Sequence, residues 1–183
     1  MNESHDVRRT ERLLLRRWTD ADRPAFAAMN ADPQVMQHLP AVLDREASDA
    51  LMDALEDRWR TQGFGLWALE RPDDGELLGW TGLNPMPADT PGAGDQEVGW
   101  RLVRPAWGHG YATEAAYEAL RVAGELGLPR VWSMCTVGNV RSQGVMRRLG
   151  LVEHSRFDHP RFEPGHPLRA HVAFVTPGRT DVA

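Results

Sequence analysis

The segment WGHGYATEA, residues 107–115, places Gly108 and Gly110 around His109 and then continues in helix-forming residues. The N–H groups at a helix start have no internal acceptors, and glycine lets an anion approach the backbone closely. The segment therefore predicts a pyrophosphate held by backbone amides, with the hydroxyl of Thr113 as an additional donor. The same glycines are equally suited to a tight strand-to-helix turn, and this stretch alone leaves that alternative open.

Two familiar phosphate-binding patterns are missing around this turn. The third glycine of the dinucleotide fingerprint is absent, and the next strand does not end in an acidic residue that could hold a ribose. The chain contains no lysine, so a Gly-Lys-Ser/Thr phosphate loop and Schiff-base chemistry are both excluded.

Composition limits the class of protein. With 183 residues, 42% of them hydrophobic, the chain is predicted to form a single domain over residues 1–183. A net charge of -5 argues against nucleic-acid binding and favours a cationic acceptor. No apolar run is long enough to span a membrane, and the start MNESHDVRRTER is polar, so we expect a cytoplasmic protein that binds no membrane.

The elements that must position the turn follow from hydrophobic periodicity and turn residues. The pattern predicts an α/β fold with a mixed sheet and a parallel strand–helix–strand crossover around residues 97–137. The predicted strands are 12–18, 65–70, 77–83, 97–103, 130–137, 151–157 and 169–175, and the predicted helices are 19–30, 44–63, 112–126 and 142–150.

Two segments in order, EVGWRLVRPAWGHGYATEA and TVGNVRSQGVMRRLGL, resemble the GNAT N-acetyltransferases, specifically the RimJ/RimL-type branch. The segments TERLLLRRWTDAD and NADPQVMQHLP are also similar to that branch, so the likeness covers about residues 10–176. It implies a twisted, mostly antiparallel sheet of about seven strands with about four helices. It also implies acetyl-CoA as co-substrate, with its pyrophosphate on the amides of Gly108, His109, Gly110, Tyr111, Ala112 and Thr113.

Several positions depart from the pattern of the superfamily. Pro105 and Trp107 stand where polar or basic residues are usual, although an aromatic residue before the first glycine fits the branch. Arg104 is the cation nearest in sequence that could replace the missing one. Met146 stands where many relatives have a tyrosine that protonates the leaving thiolate, and methionine cannot donate a proton.

Acetyl transfer to an amine needs a base, a polarised carbonyl and a proton for the leaving thiolate. Glu97, at the start of the strand before the turn, is predicted to be the base; a solvated glutamate at a strand end is the alternative. The resemblance implies that a backbone N–H at Leu102 or Val103 polarises the carbonyl where the strand leaves the ladder. Ser142, or water, is predicted to protonate the thiolate.

Asn139 is implied by the resemblance to contact the coenzyme arm, and Ser142 to face the sulfur. Both residue types also cap helices, so capping alone is the competing interpretation. Cys135 lies in an apolar run and is predicted to be buried, which favours direct attack in a ternary complex over an acetyl-cysteine intermediate.

The C-terminal histidines match no zinc spacing, and we predict no metal site. The loop DHPRFEPGHPLRAH is instead predicted to border the acceptor, with Asp158, His159 or Glu163 recognising an amine. The tryptophans are expected to be core residues, and their spacing does not single out one for the acceptor pocket.

The sequence thus predicts an acetyl-CoA-dependent N-acetyltransferase acting on a peptide or protein N-terminus or on a small amine. We expect a homodimer. A non-catalytic acyl-CoA sensor or interaction module, which Met146 favours, is the main alternative, and a nucleotide-phosphate binder is a second one.

Overall fold

Eight strands form one sheet in the computed structural model, which describes residues 5–178. The strands are β1 (Arg8–Arg9), β2 (Leu14–Arg16), β3 (Leu66–Arg71), β4 (Glu76–Pro85), β5 (Gln96–Leu102), β6 (Val131–Thr136), β7 (Val152–Asp158) and β8 (Ala170–Val175). They lie in the order β1-β2-β3-β4-β5-β6-β8-β7. Every neighbouring pair is antiparallel except β5 and β6, which are parallel.

Five α-helices accompany the sheet: α1 (Arg23–Ala31), α2 (Pro33–Met36), α3 (Arg45–Gln62), α4 (Tyr111–Glu125) and α5 (Val140–Arg148). Local sequence explains where they begin. Asp44 accepts a hydrogen bond from the Ala47 N–H at 2.8 Å and caps α3. Pro24 stands in the first turn of α1, where its missing N–H costs no helical hydrogen bond.

The two faces of the sheet bury different helices. On one face α4 presents small side chains, including Ala115, Ala119 and Ala123, which let it approach Val98 and Leu102 of β5 closely. On the other face, residues of α1 and α3 such as Phe26 and Met52 pack on Leu66 and Ala68 of β3. Since side chains alternate along a strand, Glu97, Gly99 and Arg101 of β5 lie on the α1–α3 face.

The predicted mixed α/β fold is confirmed, with eight strands rather than about seven and five helices rather than about four. The additions are β1 and α2, which contain two and four residues. The predicted helix 19–30 begins at Arg23, after a short 3₁₀ turn at Asp20–Asp22. Of the domain predicted over 1–183, residues 1–4 and 179–183 lie outside the described residues. Within the described range, no helix is long and apolar enough to cross a membrane.

Candidate active site

The helix that follows β5 begins without a side-chain cap. Its N-cap residue is Gly110, with φ of 83°, and Gly108 has φ of 82°. Residues with a Cβ rarely adopt such values, so both glycines are needed for the backbone of this turn. The N–H groups of Tyr111, Ala112 and Thr113 belong to the first helical turn and have no preceding carbonyl to bind. Free N–H groups at the positive end of a helix dipole favour the binding of an anion.

The turn is also sterically open. A Cβ added at Gly108 would meet no atom within 4 Å, and one at Gly110 would meet only Nη2 of Arg12, at 3.5 Å. The side chain of His109 stacks on Tyr111, with 5.7 Å between ring centroids. Gly108 and Gly110 themselves cover none of the backbone of the turn with a side chain.

Two arginines of α5 flank this turn. Nε of Arg148 donates to Oγ1 of Thr113 at 3.3 Å, and the guanidinium of Arg141 lies 5.0 Å from the ring centroid of Trp107. Arg104, the cation suggested by the sequence, points elsewhere because it donates to Asp32 at 2.7 Å and to Gln34 at 2.8 Å. The positive charge beside the turn thus comes from Arg141 and Arg148 of α5 and from Arg12, not from Arg104.

The turn is held in place from the segment before β2. Arg12 donates to the carbonyl of His109 at 2.9 Å and to the carboxylate of Glu114 at 2.8 Å. Burial raises the pKa of Glu114, but hydrogen bonds from Thr10 and Arg12 outweigh it and lower the pKa on balance. Glu114 is therefore ionised at neutral pH, and its contacts fix the turn before any ligand arrives.

A gap opens between the two parallel strands of the sheet. β5 and β6 pair only at Gln96–Val131 and Glu97–Trp132, although both strands continue for several residues. The strands therefore diverge toward their carboxyl ends, and α4 and α5 begin just beyond those ends. Ligands of open α/β sheets bind at such a crevice.

Hydrogen bonding distinguishes the two predicted carbonyl-polarising residues. The N–H of Val103 donates to the carbonyl of Leu78 at 2.9 Å, so it is already used within the sheet. Residues of an antiparallel strand alternate in the direction of their N–H groups. The N–H of Leu102 therefore points toward the gap, while its carbonyl accepts from Nε1 of Trp107 at 2.9 Å.

Glu97 lies where the gap begins, on the α1–α3 face of the sheet. Nδ2 of Asn84 lies 3.5 Å from its Oε1, and Arg58 of α3 donates to the Asn84 side chain. Burial raises the pKa of Glu97 to about 7, against weaker lowering effects of the Asn84 hydrogen bond and the Arg58 charge. A carboxylate that titrates near neutral pH is suited to accept a proton from an amine.

The start of α5 forms the other side of the gap. Oδ1 of Asn139 accepts from the N–H of Ser142 at 3.1 Å, so Asn139 does cap the helix. The hydroxyl of Ser142 lies beside the thiol of Cys135. Cys135 is 8% exposed, which confirms its predicted burial, and Met146 is 0% exposed in the main core.

Sequence reasoning did not single out His38, which reaches the same place. Its Nδ1 lies 3.2 Å from Oγ1 of Thr136, and burial lowers its pKa. This contact joins positions 98 residues apart, as the contact of Arg148 with Thr113 joins positions 35 apart. No local pattern of residue types could have revealed either pair.

Three of the C-terminal histidines, His159, His166 and His171, cluster at the open end of β6, where His171 pairs with Thr136. His159 and His171 lie 4.8 Å apart between ring centroids, and Phe157 and Phe162 surround them. Asp158, one predicted acceptor contact, forms an ion pair with Arg169 at 3.0 Å. Glu163 lies in the same loop, with its carbonyl bonded to the N–H of His166.

A parallel pair of strands that separates, with an uncapped helix start at its mouth, is the arrangement that the motif resemblance implies for an acetyltransferase. A family model described as Acetyltransferase (GNAT) domain matches residues 12–152. The chain belongs to the GNAT family and is an N-acetyltransferase. Members of this family use acetyl-CoA.

Individual relatives agree with this assignment. The chain is 37% identical over 100 residues to the FsC-acetyl coenzyme A-N(2)-transacetylase of Aspergillus fumigatus, covering 52% of this chain and 42% of that protein. An acetyltransferase from Agrobacterium tumefaciens superposes with a TM-score of 0.77 at 27% identity, covering 97% of each chain. The ribosomal-protein acetyltransferase RimL in complex with coenzyme A has a TM-score of 0.73 at 15% identity, covering 91% of this chain and 94% of that one, and shares the fold.

Proposed function

We propose that the chain transfers the acetyl group of acetyl-CoA to a primary amine by direct attack within a ternary complex. The observation that carries this proposal is the separation of β5 from β6 after Glu97, with the open turn of α4 at the end of the gap. In this proposal the gap would bring a polar strand edge, a titratable carboxylate and a helix start with free N–H groups into one site.

The charged part of the coenzyme is assigned to the turn. Its pyrophosphate would rest on the N–H groups of residues 108–113, with Arg141 and Arg148 as neighbouring cations. The neutral pantetheine arm would extend along the free edge of β5, where Leu102 presents its N–H. Asn139 would meet the arm from the α5 side while it caps that helix.

Glu97 is assigned as the base that removes the proton of the amine. A lysine-like amine has a pKa near 10.4 and is protonated at neutral pH, so it needs such help. Because burial raises the pKa of Glu97 to about 7, the base form becomes available only as the pH rises through that value. Below it Glu97 is protonated and cannot accept.

The other two tasks are assigned to Leu102 and Ser142. The Leu102 N–H would donate to the thioester carbonyl as negative charge develops on its oxygen. A coenzyme thiol has a pKa near that of cysteine, about 8.5, so the hydroxyl of Ser142 or a water need only share a proton with the departing sulfur. Ser142 suits this role because Met146 is confined to the core.

Cys135 is unsuited to carry the acetyl group. Burial raises the pKa of its thiol to about 11, so the nucleophilic thiolate is rare at neutral pH. Initial rates measured against both substrates should therefore give intersecting double-reciprocal lines. Parallel lines would indicate a covalent intermediate and contradict direct attack.

Within the GNAT family, we assign the chain to the RimJ/RimL-type branch. The motif resemblance supports this assignment, and the chain shares the fold of RimL. The acceptor class we propose is a primary amine, on a peptide or protein N-terminus or on a small molecule. A homodimer in the cytoplasm, with no nucleic-acid partner, stays a prediction.

Calorimetry with acetyl-CoA, followed by thiol release with a panel of amines, tests the proposal. We expect binding together with amine-dependent release of coenzyme A. Binding without release under any condition would favour the non-catalytic sensor, and stronger stabilisation by ATP than by acetyl-CoA would favour a nucleotide-phosphate binder.

Glu97→Gln tests the base. Its kcat/KM, for an amine with a pKa above 9, should fall by about 100-fold or more and lose the inflection near pH 7. The exposed Glu46→Gln on α3 is the matched control and should keep the profile. An unchanged pH profile in Glu97→Gln would remove Glu97 from the role.

A further inference from the structure

Arg101 of β5 has an unusual environment on the α1–α3 face of the sheet. It lies opposite Trp80 of β4, with its guanidinium 5.1 Å from the Trp80 ring centroid. Its Nη1 donates to Oδ1 of Asn30, which is 0% exposed and donates in turn to Oγ of Ser48 at 2.6 Å. Packing and hydrogen bonds thus fix the direction of this side chain.

The guanidinium lacks an anionic partner. Among residues 5–178, no carboxylate forms an ion pair with Arg101, and its buried Nε has no acceptor. The indole Nε1 of neighbouring Trp80 is also buried without an acceptor. Unpaired buried donors and charges are costly, and an acceptor group with several lone pairs is the kind of partner that both residues lack. Burial lowers the pKa of Arg101 to about 10, so the side chain is still charged at neutral pH.

The donors share a face with the proposed base. Glu97, Gly99 and Arg101 lie on the same side of β5, and four residues of strand separate the Cα atoms of Glu97 and Arg101 by about 13 Å. Gly99, between them in the strand, adds no side chain of its own to this face. A Cβ there would meet Cζ3 of Trp80 at 3.4 Å and Cη2 at 3.8 Å, so the indole ring lies across this position. The ring forms an apolar floor between the base and the cation.

We propose that the acceptor is a small amino-carboxylate, whose amine faces Glu97 and whose carboxylate binds the orphan donors of Arg101 and Trp80. This inference rests on the proposed function and narrows its acceptor. A carboxylate is an acceptor-only group that matches a guanidinium geometrically. The buried cation disfavours polyamines, which the net charge of the chain alone would favour.

The test compares acceptors that differ only in the carboxylate. Amino acids with increasing amine–carboxylate separation are assayed beside the corresponding alkylamines, with thiol release as the readout. We expect kcat/KM to be about 10- to 100-fold higher for the best amino acid than for its alkylamine, as loss of a charged hydrogen-bond partner predicts. Equal values, with turnover present, would overturn this inference and leave the proposed acetyl transfer intact.

Arg101→Gln separates recognition from structure. KM for the amino acid should rise about 10- to 100-fold, while kcat/KM for the alkylamine and the Kd of acetyl-CoA stay within about threefold. Arg101→Lys keeps the positive charge but loses the planar guanidinium group with its paired donors. It should recover part of the preference for the amino acid over the alkylamine. The exposed Arg60→Gln on α3 is the matched control and should behave as the parent protein.

A merely structural Arg101 would impair both acceptors equally, which would contradict the proposal. Calorimetry of the amino acid with the protein saturated with coenzyme A provides a second readout that needs no turnover. Binding that disappears in Arg101→Gln supports the carboxylate site even if the amines are not acetylated. Absence of binding in the parent protein overturns it.

Discussion

The starts of α4 and α5 differ although both helices follow the diverging ends of parallel strands. At α5 the Asn139 side chain occupies the helix end and accepts from the N–H of Ser142 at 3.1 Å. At α4 the corresponding residue is Gly110, which has no side chain to offer. One helix start is satisfied by its own chain, and the other leaves its donors free for a ligand.

The side chains around the two helix starts also differ in charge. Beside the α4 turn lie the guanidinium groups of Arg141 and Arg148. Beside the α5 start lie a protonated Cys135 thiol and the hydroxyl of Ser142. The first environment suits a doubly charged pyrophosphate, and the second suits the neutral arm and sulfur of the same carrier.

The largest expected effect comes from closing the open start with a charge. In Gly110→Asp, the carboxylate should lie beside the first N–H groups of α4 and repel the pyrophosphate, lowering acetyl-CoA affinity about 100-fold by calorimetry. Aspartate and asparagine tolerate the left-handed conformation better than most residues, so both variants are expected to fold. Gly110→Asn adds a side chain of the same size without the charge and should lower acetyl-CoA affinity only about 10-fold. Parent-like affinity in both variants would mean that the turn binds nothing.

A smaller effect is expected from removing a neighbouring cation. Arg148→Gln should weaken acetyl-CoA binding about 5- to 10-fold, and the loss should shrink at high salt because Arg148 is exposed. The measurement is a salt series of calorimetric titrations, with Arg60→Gln as the control. A loss that is independent of salt would point to a structural role at Thr113.

Changing the capped start of α5 should alter the stability of the protein. Asn139→Ala removes the α5 cap and should lower the free energy of unfolding by about 1 kcal/mol in denaturant titrations. Asn139→Asp keeps the capping oxygen and should restore most of it. Full stability in the alanine variant would show that the bond to Ser142 contributes nothing measurable.

Local sequence patterns were enough to predict much of the fold. The predicted strands 65–70 and 77–83 are β3 and β4, which pair as an antiparallel hairpin around the turn-forming sequence RPDDGE, and the Pro- and Gly-rich residues after Pro85 connect β4 to β5. The predicted helix 44–63 is α3, Arg45–Gln62. Its buried stripe includes the polar Ser48, which apolar periodicity could not indicate, because a hydrogen bond from the distant Asn30 satisfies it.

The site was predictable only where its residues follow one another in the chain. The glycine turn and the Asn139 cap are contiguous with the helices they start. Partners such as Arg148 with Thr113, or Arg101 with Trp80 and Asn30, meet only because the sheet and helices bring them together. The partner of Arg104 also could not be predicted from the local sequence, because the position of α2 in the fold brings Asp32 to this side chain.

A crystal structure of the protein with acetyl-CoA tests the central claim most directly. It should place the diphosphate within hydrogen-bonding distance of the N–H groups of Tyr111, Ala112 and Thr113, while Asn139 still accepts from Ser142. A diphosphate at the start of α5, or anywhere away from the α4 turn, would contradict the account.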